Sequence, residues 1–336
     1  MAQSTIVRWT DPKVILVATN LVEDRTFSLH VISQAKLSGA KVLLVHVVPP
    51  LYLRSESVYG APFVQPVLVV RNTRGKLDEM AAVLRAEDVE CESVILTGLP
   101  QETIPLFLKS RPVDRVIVSA RNATGVERLV GGSVAEALIS GVDIPVCVIG
   151  RQTIPPLACG TPPERILLAA SLQPESSMLA NFASTLAELH HSHLTLLHVL
   201  ESAGMTQEER ELARFIARRK LSGLIPKEAR HRHHPAILIP DGDPIKIIPD
   251  AISSMSQDLV VLGGTYPSLF SWILGTSVVR RVIAEAKCPV ITIKSQAGEA
   301  TESPVRYDAI DAGGTPAHSV GCPEDVISSR RSKTRL

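Results

Sequence analysis

Apolar residues along the chain come in short dense runs, separated by longer stretches of helical period. VILVATN (14–20) and ILLAAS (166–171) are aliphatic almost throughout, the pattern of a parallel strand buried on both faces. Each is followed by a polar turn and then by apolar positions three and four apart. These are Phe27, Val31, Ile32 and Ala35 after the first run, and Leu179, Phe182, Ala183 and Leu186 after the second. That spacing predicts a helix. VLLVHVV (42–48) and LTLLHVL (194–200) come next, with His46 and His198 at the same place in each.

The later parts of the two copies match without a gap. Gly98-Leu99-Pro100 aligns with Gly242-Asp243-Pro244, an offset of 242 − 98 = 144. Both predict a helix opening on proline, where the missing N–H costs nothing. DRVIVSA (114–120) aligns with DLVVLGG (258–264) at the same offset, and so do Ile144-Pro145-Val146 and Cys288-Pro289-Val290. The copies run out in VCVIG (146–150) and VITIK (290–294). Each copy therefore reads β-α-β-α-β-α-β-α-β, which predicts a parallel sheet covered by helices on both faces.

Other signals set the boundaries. Thr206 with Glu209 is a capping box for a helix running toward Leu224. Residues 151–164, RQTIPPLACGTPPE, hold four prolines and read as a linker. Residues 296–336 are polar, lack periodicity and end in RRSKTRL, so they read as a disordered tail. The expected organisation is one domain over 1–150, the linker over 151–164, a second domain over 165–295 and the tail over 296–336.

Each copy resembles the universal stress protein domain over roughly 140 residues. The resemblance rests on the apolar first strand, the His-Val ending of the second, the Cys-Pro-Val or Ile-Pro-Val opening of the last, and a loop in the register of G-x-x-G-x9-G-[ST]. It implies two tandem five-stranded parallel-sheet α/β domains of the Rossmann-like type found in adenine-nucleotide α-hydrolases. In nucleotide-binding members the loop holds phosphates, since glycine permits close backbone approach and the next helix offers free N–H groups. Carried over by position, an ATP-type site in the first domain would use Asn20, Val47, Ser119, Asn122, Gly132, Ser133 and Val134. The resemblance also implies that the last strand of one domain pairs with the same strand of a partner. VCVIG and VITIK could satisfy each other inside one chain as a pseudo-dimer, with a homodimer of the whole chain as a further step.

The loop pattern is eroded. The first copy reads Ser119-Ala-Arg-Asn122 and then, nine residues on, Gly132-Ser133, and Asn20 stands where the family has Asp. The second reads Gly263-Gly-Thr-Tyr266 and then Thr276-Ser277, with Ser171 in place of the Asp. Tyr266 would fill space that a phosphate or ribose needs. The bland reading is that Ser133 only caps the last helix of its domain.

Two features lie outside the family pattern. Where the first copy has Gly125-Val-Glu-Arg-Leu129, the second has the uncharged Leu269-Phe-Ser-Trp-Ile273, a surface for an apolar ligand or protein partner, or a plug packed inward. His190, His191 and His193 precede one strand of the second copy, and His231, His233 and His234 precede the next. They would sit together at the N-terminal ends of neighbouring strands, as a metal or pH-sensing cluster or as a solvated edge. No metal ligand set is assigned. Asp241 and Asp243 flank Gly242, and Asp243 before Pro244 reads as a helix cap rather than half of a catalytic pair.

Composition narrows the function. With 35 basic and 34 acidic residues the net charge is +1, and aromatic residues are 4% of the chain, so nucleic acid is not expected as a partner. The uncharged stretch Leu259–Val279 is long enough to span a bilayer, but the repeat assigns it to a strand and a loop, so no membrane span is expected. Five cysteines without a C-x-x-C, and no apolar signal region over Met1–Asp11, point to the cytoplasm. There is no G-x-S-x-G, H-E-x-x-H or Walker loop. Three functions follow: a non-catalytic stress-response binding or regulatory protein, an ATP-binding switch in the first domain, or an adaptor using residues 269–273.

Overall fold

The computed structural model describes residues 2–22, 24–49, 66–120, 134–172, 176–226, 234–264 and 278–294. The first half contains α1 (Ala2–Thr10), β1 (Val14–Ala18), α2 (Arg25–Ser38), β2 (Lys41–Val48) and α3 (Pro66–Ala86). It continues through β3 (Cys91–Thr97), α4 (Pro100–Lys109), β4 (Arg115–Ser119), α5 (Val134–Gly141) and β5 (Val146–Ile149). The second half repeats the series: β6 (Arg165–Ala169), α6 (Ser176–His190), β7 (His193–Leu197), α7 (Gln207–Leu224) and β8 (Ala236–Leu238). It ends with α8 (Pro244–Ser254), β9 (Leu259–Gly264), α9 (Val278–Glu285) and β10 (Val290–Lys294).

The strands lie in the order β3-β2-β1-β4-β5-β10-β9-β6-β7-β8. Within each half all pairs are parallel. At the centre β5 and β10 run antiparallel, with Val146 opposite Thr292, Cys147 opposite Ile291 and Val148 opposite Val290. The sheet edge that each half would otherwise leave open is closed by the other half. Two five-stranded sheets have become one.

Side chains alternate across this sheet with the period of two that strands impose. Ile15, Val17, Cys147 and Ile149 join a core formed with α1, α2, α3, α6 and α7. Leu16, Ala18, Val146 and Val148 join the opposite core with α4, α5, α8 and α9. Each core runs through both halves, so the apolar layers are continuous across the β5·β10 seam.

Matched carboxylates tie down the first strand of each half. Asp114 Oδ2 accepts from the Lys13 and Val14 amides at 2.9 and 3.1 Å. Asp258 Oδ2 accepts from the Glu164 and Arg165 amides at 3.1 and 2.9 Å. The capping box at Thr206 forms in both directions, and Asp243 accepts from the Ile245 amide at the start of α8. The Asp243 cap matches its sequence reading.

Two parts of the chain do more than the sequence suggested. The first eleven residues include a helix, α1, which carries Ile6 into the core and packs against α6 of the second half. The proline-rich connection lies against α2 as a strap: His30 Nε2 donates to the Ile154 carbonyl at 2.8 Å, and the Gly160 amide donates to Ser33 Oγ at 3.1 Å. The Ile154 amide donates to the Lys287 carbonyl in the second half at 2.9 Å. Residues 296–336 and 265–277, which include the tail and the 269–273 loop, lie outside the described residues.

Candidate nucleotide site

In a parallel sheet of order 3-2-1-4-5, ligands are received where the strand order reverses, at the C-terminal ends of strands 1 and 4. In the first half these are β1 and β4, paired through Ala18 and Val118. Asn20 follows β1, and Ser119 ends β4 half-buried, so the topology places both at this crevice. Val134 opens α5 beside it, half-buried. Val47 lies in the buried core with Leu16 and Val118, which limits any contact with a ligand to its backbone. Asn122, Gly132 and Ser133 lie outside the described residues.

The turn after β1 is closed by its own side chains. Thr19 Oγ1 accepts from the Leu21 amide at 3.0 Å, and Asn20 Oδ1 accepts from the Val22 amide at 2.9 Å. Leu21 takes the left-handed conformation at φ 65°. Both residues thus use local turn bonds typical of short polar side chains. His46 fixes the turn from the neighbouring strand, its Nδ1 donating to the Thr19 carbonyl at 2.8 Å. That bond requires the proton on Nδ1. Burial holds the His46 ring below the ordinary imidazole value, against the opposing pull of the Thr19 carbonyl.

The second half repeats this device. His198 Nδ1 donates to the Ala170 carbonyl at 3.0 Å. The shared position of the two histidines in the sequence thus has a structural use: each pins the turn at the end of its first strand. Ser171 is engaged with the start of α6, where the Ser176 hydroxyl donates to the Ser171 carbonyl at 2.7 Å and the two hydroxyls meet at 3.0 Å. Gly263, the first glycine of the loop pattern, has a packing reason of its own. A Cβ there would stand 1.7 Å from Leu179 Cδ1, so the absent side chain makes room for the core of α6. The matching position in the first half is Ser119.

Burial pushes the Cys91 thiol up to about 11 and the Cys288 thiol up to about 12, and raises that of Cys147 as well. Such thiols stay protonated at neutral pH. Cys91, Cys147, Cys159 and Cys288 are free.

The histidine cluster divides. His190 is half-buried, and burial followed by the nearby Arg115 charge holds it below the ordinary imidazole range. It therefore faces the first half, not an open edge. His191 closes α6 in the left-handed conformation at φ 55°, while His193 and His234 are exposed. His231 and His233 lie outside the described residues, and among the described residues no three of His, Cys, Asp or Glu group as a metal site. No helix among the described residues is long and apolar enough to cross a membrane, and Leu259–Gly264 is strand β9.

The sequence profile of the Universal stress protein family matches residues 12–150 and 163–294. The chain belongs to the universal stress protein family. Two universal stress proteins of Methanocaldococcus jannaschii are similar in sequence. One is 23% identical over 155 residues, covering 42% of this chain and 96% of the relative. The other is 26% identical over 122 residues, covering 36% of this chain and 72% of the relative. Among solved structures, a universal stress protein from Archaeoglobus fulgidus superposes with a TM-score of 0.62 at 17% identity, over 85% of this chain and 97% of that one. A functionally unknown protein from Pseudomonas aeruginosa gives 0.56 at 14% identity, over 85% and 94%. At these identities the structures establish the tandem fold alone.

Proposed function

We propose that this universal stress protein is a non-catalytic, cytoplasmic binding or regulatory protein of the stress response, with both nucleotide loops eroded. The observation that carries this reading is the turn after β1. Where the family pattern has a carboxylate, Asn20 brings no charge, and its oxygen already accepts from the Val22 amide. Ser171 at the equivalent point of the second half is likewise engaged with α6, and the space beside Gly263 is filled by Leu179. Among the described residues, burial keeps the thiols of Cys91, Cys147 and Cys288 protonated, so none of these three offers a thiolate nucleophile.

A second reading, an ATP-binding switch in the first domain, draws on the placement of Asn20 and Ser119 at the reversal of strand order, beside the N-terminus of α5. In that reading Asn122, Gly132, Ser133 and Val134 receive the phosphates. Magnesium-ATP titration of the full chain by calorimetry, beside a Gly132→Trp variant, separates the two. The main reading expects no saturable heat up to millimolar ATP. Saturable micromolar binding that Gly132→Trp abolishes would overturn it in favour of the switch.

A further inference from the structure

The outward face of α7 carries a pattern that the fold does not use. Ala217 and Leu221 are fully buried and anchor the helix on the sheet. On the opposite side, Leu212 is 60%, Phe215 63% and Ile216 43% exposed. Large apolar side chains exposed together at helical spacing are costly unless something covers them. Among the described residues the matching helix of the first half, α3, shows no such cluster: its exposed apolar residues Leu68, Val70 and Val83 lie toward its two ends.

The pattern is directional. Glu208, Leu212, Phe215, Arg219 and Ser222 follow one another at spacings of four, three, four and three, the seam of a helix that packs along a second helix. The seam is acidic at its N-terminal end, apolar in the middle and basic at its C-terminal end. Glu208 and Glu211 flank the first part, and Arg218, Arg219 and Lys220 the last, all exposed. Glu208, Arg218 and Arg219 take part in no ion pair among the described residues.

An acid–apolar–base seam complements itself when reversed. Laid antiparallel about a two-fold axis between Leu212 and Phe215, it sets Leu212 against Phe215 of the partner subunit. Glu208 then meets Arg219 of the partner subunit, and the same pairs recur on the other side of the axis. A parallel arrangement would set like charges together. The β5·β10 pairing already closes the central edges of both halves, so a second copy has to use another surface. We propose that α7 is a self-association surface that takes a second copy of this chain in antiparallel register, with Leu212, Phe215 and Ile216 at its centre and Glu208 and Arg219 fixing its direction.

The test is sedimentation velocity of the full chain across a concentration series up to about 100 μM. The expected result is a reversible dimer, lost in Phe215→Asp. That residue is exposed, so the substitution leaves the core intact, and an unchanged thermal melt checks this. Arg219→Glu is expected to weaken the dimer about tenfold or more, and Glu208→Lys with Arg219→Glu to restore it. A monomer throughout the series overturns the proposal. So does a dimer that survives Phe215→Asp, or a dimer lost in Arg219→Glu that the double variant fails to restore. A monomer that instead binds vesicles containing phosphatidylserine through Phe215 would assign the face to a membrane surface and equally overturn it.

Discussion

Asp114 in the first half and Asp258 in the second stand 144 residues apart at matching positions, and each holds two amides at the start of its half's first strand. Around that shared bond the halves differ. Asp114 is buried and also receives Arg8 from α1 at 2.5 Å, while Asp258 is exposed. Beside Asp114, the buried Arg115 donates to the Trp9 carbonyl at 2.7 Å and to Gln34 at 3.1 Å, tying the same helix down. The second half has Leu259 in that place. A repeated sequence therefore kept the bond that the fold needs in both copies. It then built on one copy only, where the N-terminal helix crosses onto α6 and locks the halves together.

Breaking the matched carboxylates should show this difference most strongly. Asp114→Asn is expected to cost about 2 kcal/mol, because it weakens charge-assisted bonds inside the core. Asp258→Asn is expected to cost less than about 1 kcal/mol, as for an exposed carboxylate bonded to surface amides. Chemical denaturation of the two variants measures the gap, and equal losses would remove the asymmetry.

A smaller effect should appear with pH. Burial lowers both His46 and His190 from the ordinary value of 6.5. As pH falls, the unfolded chain takes up protons on these rings before the folded chain does, so stability is lost as pH drops below the ordinary imidazole value. The loss stops once the folded rings titrate. The unfolding midpoint should be flat between about pH 7 and 8, below the range where the buried thiols of Cys91, Cys147 and Cys288 would begin to cost stability, and fall below about pH 6.5. His190→Gln should flatten part of that fall, and a stability that rises on acidification would contradict the assignment.

Much of this was legible in the sequence, for physical reasons that can be named. Short, dense aliphatic runs such as 14–18 and 166–169, bounded by polar turns, read as strands buried on both faces, and the constant offset fixed their correspondence. The cap at Thr206 and the turn at Asp243 were readable because capping chemistry is local. The family resemblance pointed to the pairing of VCVIG with VITIK. The role of α1 was missed because it depends on a contact with α6, far away in sequence, and nine residues carry too little periodicity to announce it. The proline-rich connection read as a linker because its bonds to α2 and to Lys287 are made mostly by backbone groups, through Ile154 and Gly160, which composition does not reveal. His190 and His191 looked like members of one cluster, but the end of α6 turns one toward α1 and uses the other to close the helix.

Two copies complete each other inside one chain through the antiparallel pairing of β5 with β10. Backbone hydrogen exchange tests this most directly. The amides of Val146, Val148, Val290 and Thr292, which face across the seam, should fall in the slowest-exchanging class, with protection unchanged across a ~100-fold range of protein concentration. Fast exchange at these amides would mean that the two strands do not pair, and protection that grows with concentration would mean that they pair only between molecules; either result contradicts the intramolecular pairing.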